Sequence, residues 1–152
     1  MGNHTPPATY EVNIEQLNSF LRGELSSLET YQQTIDKMDP EDTLVLDVLR
    51  RCKRSHEERV ERLRREITAL GRETADGTGP WGAFAKLAQR TAKLFGEKAA
   101  ISMLQEGEDH GLNDCRGDLD DFDPSVRAFV ETEILPAQQR THDSLNELQQ
   151  AL

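Results

Sequence analysis

Aromatic side chains are scarce in this chain, at 5% of its residues, and its β-branched runs are short. No stretch alternates apolar and polar residues over the length of a strand, so the sequence predicts no sheet. No apolar run is long enough to span a bilayer, so no membrane partner is expected. The opening residues MGNHTPPATYEVN lack a basic segment followed by an apolar one, and nothing in them points to secretion. Gly2 could start a myristoylation signal, but Pro6 stands where that signal needs Ser or Thr. Only two cysteines occur, Cys52 and Cys115. They form no Cys-x-x-Cys pair, which removes zinc ribbons and thioredoxin-like motifs and fits a reducing, cytoplasmic setting. The net charge of −10 is the wrong sign for nucleic acid, whose phosphates require a cationic face. Gly71, Gly77, Gly79 and Gly82 follow no strand, so they form a loop and not a phosphate cradle. There is no nucleophile constellation.

What the chain does have is helical periodicity. Residues 1–11 read as a disordered tail and residues 12–152 as one domain. A first helix over 12–37 carries the stripe Ile14, Leu17, Leu21, Glu24, Leu28, Tyr31, Ile35, stepping by three and four as a bundle seam does. Asp39-Pro40 reads as an N-cap followed by proline at the first helical position. A second helix over 40–70 carries Leu49, Cys52, His56, Val60, Leu63, Ile67 and Leu70, and Gly71 stops it. A polar loop and a short amphipathic segment with Trp81, Phe84 and Leu87 follow. A third helix over 97–119 carries Ile101, Leu104, Glu108, Gly111 or Leu112, Cys115 and Leu119. A fourth over 124–150, again opened by Asp-Pro, carries Phe129, Val130, Ile134, Gln138, His142, Leu145 and Leu148. Pro136 inside it should kink or locally unwind it. Two short links and one long one predict an all-α, antiparallel four-helix bundle of two hairpins joined by a long crossover containing a short helix.

The two hairpins repeat each other at their oddest positions. Gly23-Glu24 matches Gly107-Glu108, and Lys53-Arg54-Ser55-His56-Glu57 matches Gln139-Arg140-Thr141-His142-Asp143. Glu24 and His56 lie at similar distances from the first turn, so they should meet at one height. All four of Glu24, His56, Glu108 and His142 are expected to converge near mid-bundle. A buried carboxylate is costly unless a cation compensates it, and two Glu with two His on facing helices is how bundles build metal sites. Fe, Mn or Zn suits such donors. A core without metal, neutralised by Lys53 beside Glu24 or Glu108, is the other reading. Glu106 and His110 lie on the far face of their helix and read as solvated. The basic run of the second helix, Arg50 to Arg65, reads as a solvated face and less readily as an anion- or protein-binding stripe. Cys52 and Cys115 should lie on opposite sides of the Glu/His layer, too far apart for a disulfide.

LNSFLRGELSSLETY resembles the first helix of ferritins and bacterioferritins, with Glu24 at the position of a metal-ligand Glu and Tyr31 at that of the Tyr seven residues on. Glu108 matches the equivalent Glu of the third helix, and Cys115 stands where a Tyr often occurs. More narrowly, over about residues 13–150 the chain resembles a bacterial ferritin-like four-helix-bundle family of unknown function, which shares Gly107-Glu108-Asp109 and the lone His56 and His142. The resemblance implies metal ligands at Glu24, His56, Glu108 and His142, with Tyr31, Lys53 and Gln139 beside or replacing them. It also implies a metal-handling or stress-related role. Where the wider family has Glu-x-x-His, this chain has Lys53 and Gln139. The loss of both bridging carboxylates argues against ferroxidase or other redox catalysis. A non-catalytic structural or interaction protein, a homodimer through the crossover or a helix face, is the alternative. No cage is expected.

Overall fold

A computed structural model of the chain describes residues 8–77, 86 and 96–152. Most of these residues are helical, with no strand among them. The short amphipathic segment expected around Trp81 and Phe84, and the first seven residues of the expected tail, lie outside the described residues.

Helix α1 spans Ala8–Lys37, beginning earlier than the apolar stripe alone suggests, since nothing between Ala8 and Val12 breaks a helix. Helix α2 spans Thr43–Ala69. It starts later than the Asp39-Pro40 signal implies. Asp39 instead organises a turn: its carboxylate accepts from the Glu41 N–H at 2.9 Å, and its carbonyl accepts from the Asp42 N–H at 3.0 Å. The far end of α2 closes as expected at Gly71, whose φ is +78°. The Gly71 N–H bonds the Thr68 carbonyl at 2.9 Å and the Arg72 N–H bonds that of Ile67 at 3.2 Å. This is a Schellman cap, which needs the left-handed conformation that glycine adopts most easily.

Helix α3 spans Glu97–Asp118 and tightens into a 3₁₀ turn at Leu119–Asp121. The last helical stretch begins at Pro124, with Asp123 at the cap position. It runs as α4 (Pro124–Phe129), a π-helical turn (Val130–Ile134), and α5 (Leu135–Ala151). The expected disturbance is therefore a π turn immediately before Pro136, where the missing N–H and the ring's clash with the carbonyl four residues back prevent regular α bonding.

Helix α1 packs on α2 and α3, and α5 packs on the same two helices, consistent with the expected bundle. The seam residues form two apolar clusters. One gathers Leu17, Leu21, Val60, Leu63, Ile67, Cys115, Phe122 and Val130. The other gathers Tyr31, Leu46, Leu49, Cys52, Ile101, Leu104 and Leu145. Burying each large aliphatic chain contributes about 1.5–3 kcal/mol. Each cluster holds one of the two cysteines, which are buried and free. Among the described residues, no helix is long and apolar enough to cross a membrane.

Candidate functional site

Between the two clusters lies a polar layer. The seam that drives α1, α2 and α3 together carries Glu24, His56 and Glu108 into the interior, where they are 6%, 1% and 2% exposed. His56 is the hub. Its Nδ1 meets Glu24 Oε2 in a short contact, and its Nε2 meets Glu108 Oε1 at 2.7 Å. The Tyr31 hydroxyl donates to the same Glu108 oxygen at 2.6 Å, and its ring lies tilted over the imidazole with centroids 5.1 Å apart.

The fourth expected member is absent from the layer. His142 lies on the flank of α5, with Nε2 2.7 Å from Asp109 Oδ1 and Nδ1 3.1 Å from Asp143 Oδ1. It follows Thr141 by one residue, about 100° around the helix, and Thr141 is the residue that faces inward. Nor do Lys53 and Gln139 enter the core. Lys53 pairs with Glu57 at 3.2 Å. Gln139 donates to Asp143 at 3.0 Å and accepts a short bond from Arg116. The expected neutralisation of the core by Lys53 is therefore replaced by another cation.

That cation is Arg59, which is fully buried. It follows His56 by three residues and so shares its face of α2. Its Nη1 donates to Gln138 Oε1 at 2.6 Å and lies 3.4 Å from Glu24 Oε1. Its Nη2 donates to Thr141 Oγ1 at 3.1 Å. Gln138 and Thr141 then donate to Glu108 Oε2, at 2.9 and 2.8 Å. Sequence reasoning placed Arg59 in a solvated basic run. The available signal was its position directly before the seam residue Val60. Gly111 completes the layer by leaving room, since a Cβ there would lie 2.9 Å from Gln138 Nε2.

Electrostatics follow the geometry. Burial alone would raise the Glu108 pKa, but the charge and hydrogen bond of His56, with Arg59 behind, outweigh it and lower the pKa to about 2. Burial and Arg59 oppose protonation of His56, yet Glu24 and Glu108 together raise its pKa above the ordinary value. Burial, aided by the neighbouring Glu108, also raises the Tyr31 hydroxyl and Cys52, the latter to about 11. Burial, with Glu24 next, pushes Cys115 up to about 12. With His56 protonated, its charge and that of Arg59 balance the two carboxylates. Both thiols stay protonated at neutral pH and are poor nucleophiles.

Fe, Mn or Zn does not fit this donor set. A metal-bound imidazole must offer a lone pair, whereas each ring nitrogen of His56 already faces a carboxylate oxygen within hydrogen-bond distance. Arg59 already supplies the positive charge that a metal would bring. Among the described residues, no group of three or more His, Cys, Asp or Glu side chains stands ready to hold a metal.

The model of one protein family, a domain of unknown function (DUF2383), matches residues 12–121. This span includes Glu24, His56, Arg59 and Glu108 and stops before Gln138 and Thr141. No curated protein and no solved structure matches the chain.

Proposed function

The chain belongs to the DUF2383 family, and we propose that it is a non-catalytic structural or interaction protein built on a ferritin-like antiparallel four-helix bundle. Its own side chains bond to one another at the level at which ferritin-like proteins hold metal. One observation carries this reading: His56 is engaged through both ring nitrogens while the buried guanidinium of Arg59 balances the second carboxylate. Such a layer leaves no imidazole nitrogen free for a metal and holds no low-pKa nucleophile. It can fix the register of four helices, because its full set of hydrogen bonds and ion pairs forms only when all four are in place. A cytoplasmic setting belongs to the same reading, given two free thiols, and so does a homodimer. The apolar side chain of Leu44, 82% exposed at the start of α2, is a candidate contact for the dimer.

The experiment is metal loading. Purified protein is incubated with Fe(II), Mn(II) or Zn(II), desalted, and analysed by plasma mass spectrometry beside a Glu108→Ala variant, with oxygen uptake recorded after iron addition. The proposal expects metal well below one equivalent in both proteins and no iron-dependent oxygen uptake. One equivalent in the wild type that disappears in the variant would restore the reading in which Glu24, His56 and Glu108 are ligands. Sedimentation at several concentrations tests the dimer separately.

A further inference from the structure

Helices α2 and α5 each carry the pattern Arg-x-x-x-Ser, as Arg51–Ser55 and Arg140–Ser144. A spacing of four places each guanidinium and hydroxyl on one face of its helix, a turn apart. The structure sets these two faces across a shared cleft of about 420 Å³, its open mouth included, with Cys52 and Thr141 also lining it. No carboxylate lines the cleft. Among the described residues, neither Arg51 nor Arg140 has a carboxylate oxygen within 4 Å, whereas Lys53, Arg62 and Arg127 do. Behind the cleft, Arg59 donates to Thr141. From residue 50 to residue 55 the sequence RRCKRS contains no acidic residue, so this patch is basic in an acidic chain.

We propose that the cleft between α2 and α5 binds a phosphate-type oxyanion, free or as the head of a small monoester. Guanidinium forks suit the oxygens of phosphate and can grip it from two sides. Hydroxyls of Ser55 and Ser144 donate to the remaining oxygens. A tetrahedral dianion can accept all four groups at once, which a planar carboxylate with two oxygens does less well. The net charge of −10 repels a long polyanion, so the ligand is small. This site is independent of the core: it stands or falls whether or not Glu24, His56 and Glu108 hold a metal.

The test is a titration of the full chain with sodium phosphate at constant ionic strength maintained by sodium chloride. Backbone amide shifts at Ser55 and Ser144 are followed by NMR. Saturable shifts centred there are expected. Arg51→Gln combined with Arg140→Gln should weaken binding at least about ten-fold, and either change alone by about three- to five-fold. Both arginines are exposed, so these variants should keep the wild-type unfolding midpoint. Ser144→Ala provides a milder second variant. A parallel titration with glycerol 3-phosphate separates the sources: tighter binding than phosphate identifies a monoester head, and equal or weaker binding identifies free phosphate. A response that is linear in phosphate, reproduced by chloride, or unchanged in the double variant would overturn the proposal.

Discussion

The two helix pairs contribute unequally to the polar layer. The pair α1–α2 supplies a carboxylate, an aromatic hydroxyl and both cations, as Glu24, Tyr31, His56 and Arg59. The pair α3–α5 supplies a carboxylate, an amide and a hydroxyl, as Glu108, Gln138 and Thr141, and leaves its histidine on the surface. A repeat in sequence has become an asymmetric charge balance in space. Within the layer neither pair is neutral by itself: Glu24, protonated His56 and Arg59 leave the first with one surplus positive charge, and Glu108 leaves the second with one negative. The layer thus compensates charge only when the pairs are docked, which ties helix pairing to electrostatics.

The largest break in that comparison should come from the first pair. Arg59→Met leaves the two carboxylates with only one cation, and the loss of one partner from a buried charge set costs about 3–5 kcal/mol. Urea denaturation measures it. Adding Glu24→Gln to that variant should recover part of the loss, because the surplus negative charge disappears. A double variant as unstable as the sum of the singles would mean that the two groups are not coupled.

A pH series separates the pairs next. Glu108, from the second pair, contributes stability that is fully present above its ordinary pKa of 4.5 and is lost as pH falls through about 2. His56, from the first pair, has a raised pKa. Its contribution is fully present below about 6.5 and is lost as pH rises through the folded value. Stability from the layer should therefore be greatest between about 4.5 and 6.5, declining by about 3 kcal/mol on the acid side and declining again on the alkaline side as His56 loses its proton. The histidine arm should vanish in His56→Gln and persist in His142→Ala.

Smaller effects belong to the second pair. Gly111→Ala gains helix propensity of up to about 1 kcal/mol but pushes Gln138 off Glu108. The account predicts a net loss of about 1 kcal/mol, seen as a lower urea midpoint. Smallest is His142→Ala, which removes a half-exposed pairing with Asp109 and Asp143 and should cost under about 1 kcal/mol. A loss as large as that for Arg59→Met would contradict the asymmetry.

Much of the fold was legible because its signals are periodic. The stripes of α1, α2 and α3 placed Leu17, Leu21, Leu49, Leu63, Ile101 and Leu104 in the interior, where they are, and Gly71 ended α2 as its φ requires. Convergence of Glu24, His56 and Glu108 was legible for the same reason, since polar residues on an otherwise apolar seam have nowhere else to point. Arg59 was hidden by its surroundings: eight basic residues between 50 and 65 read as a solvated face, and periodicity alone does not select the one that turns inward. Thr141 was hidden by its neighbour, because histidine at 142 draws the eye to a ligand role. The π turn before Pro136 was expected only as an unspecified disturbance, and the exact register beyond it decides that Thr141, not His142, meets Glu108.

The most direct test of the central claim is the protonation state of the His56 ring, read by nitrogen NMR of side-chain-labelled protein near neutral pH. The account predicts two protonated ring nitrogens whose signals do not move when Zn(II) is added. One unprotonated nitrogen whose resonance shifts on stoichiometric zinc binding would contradict it.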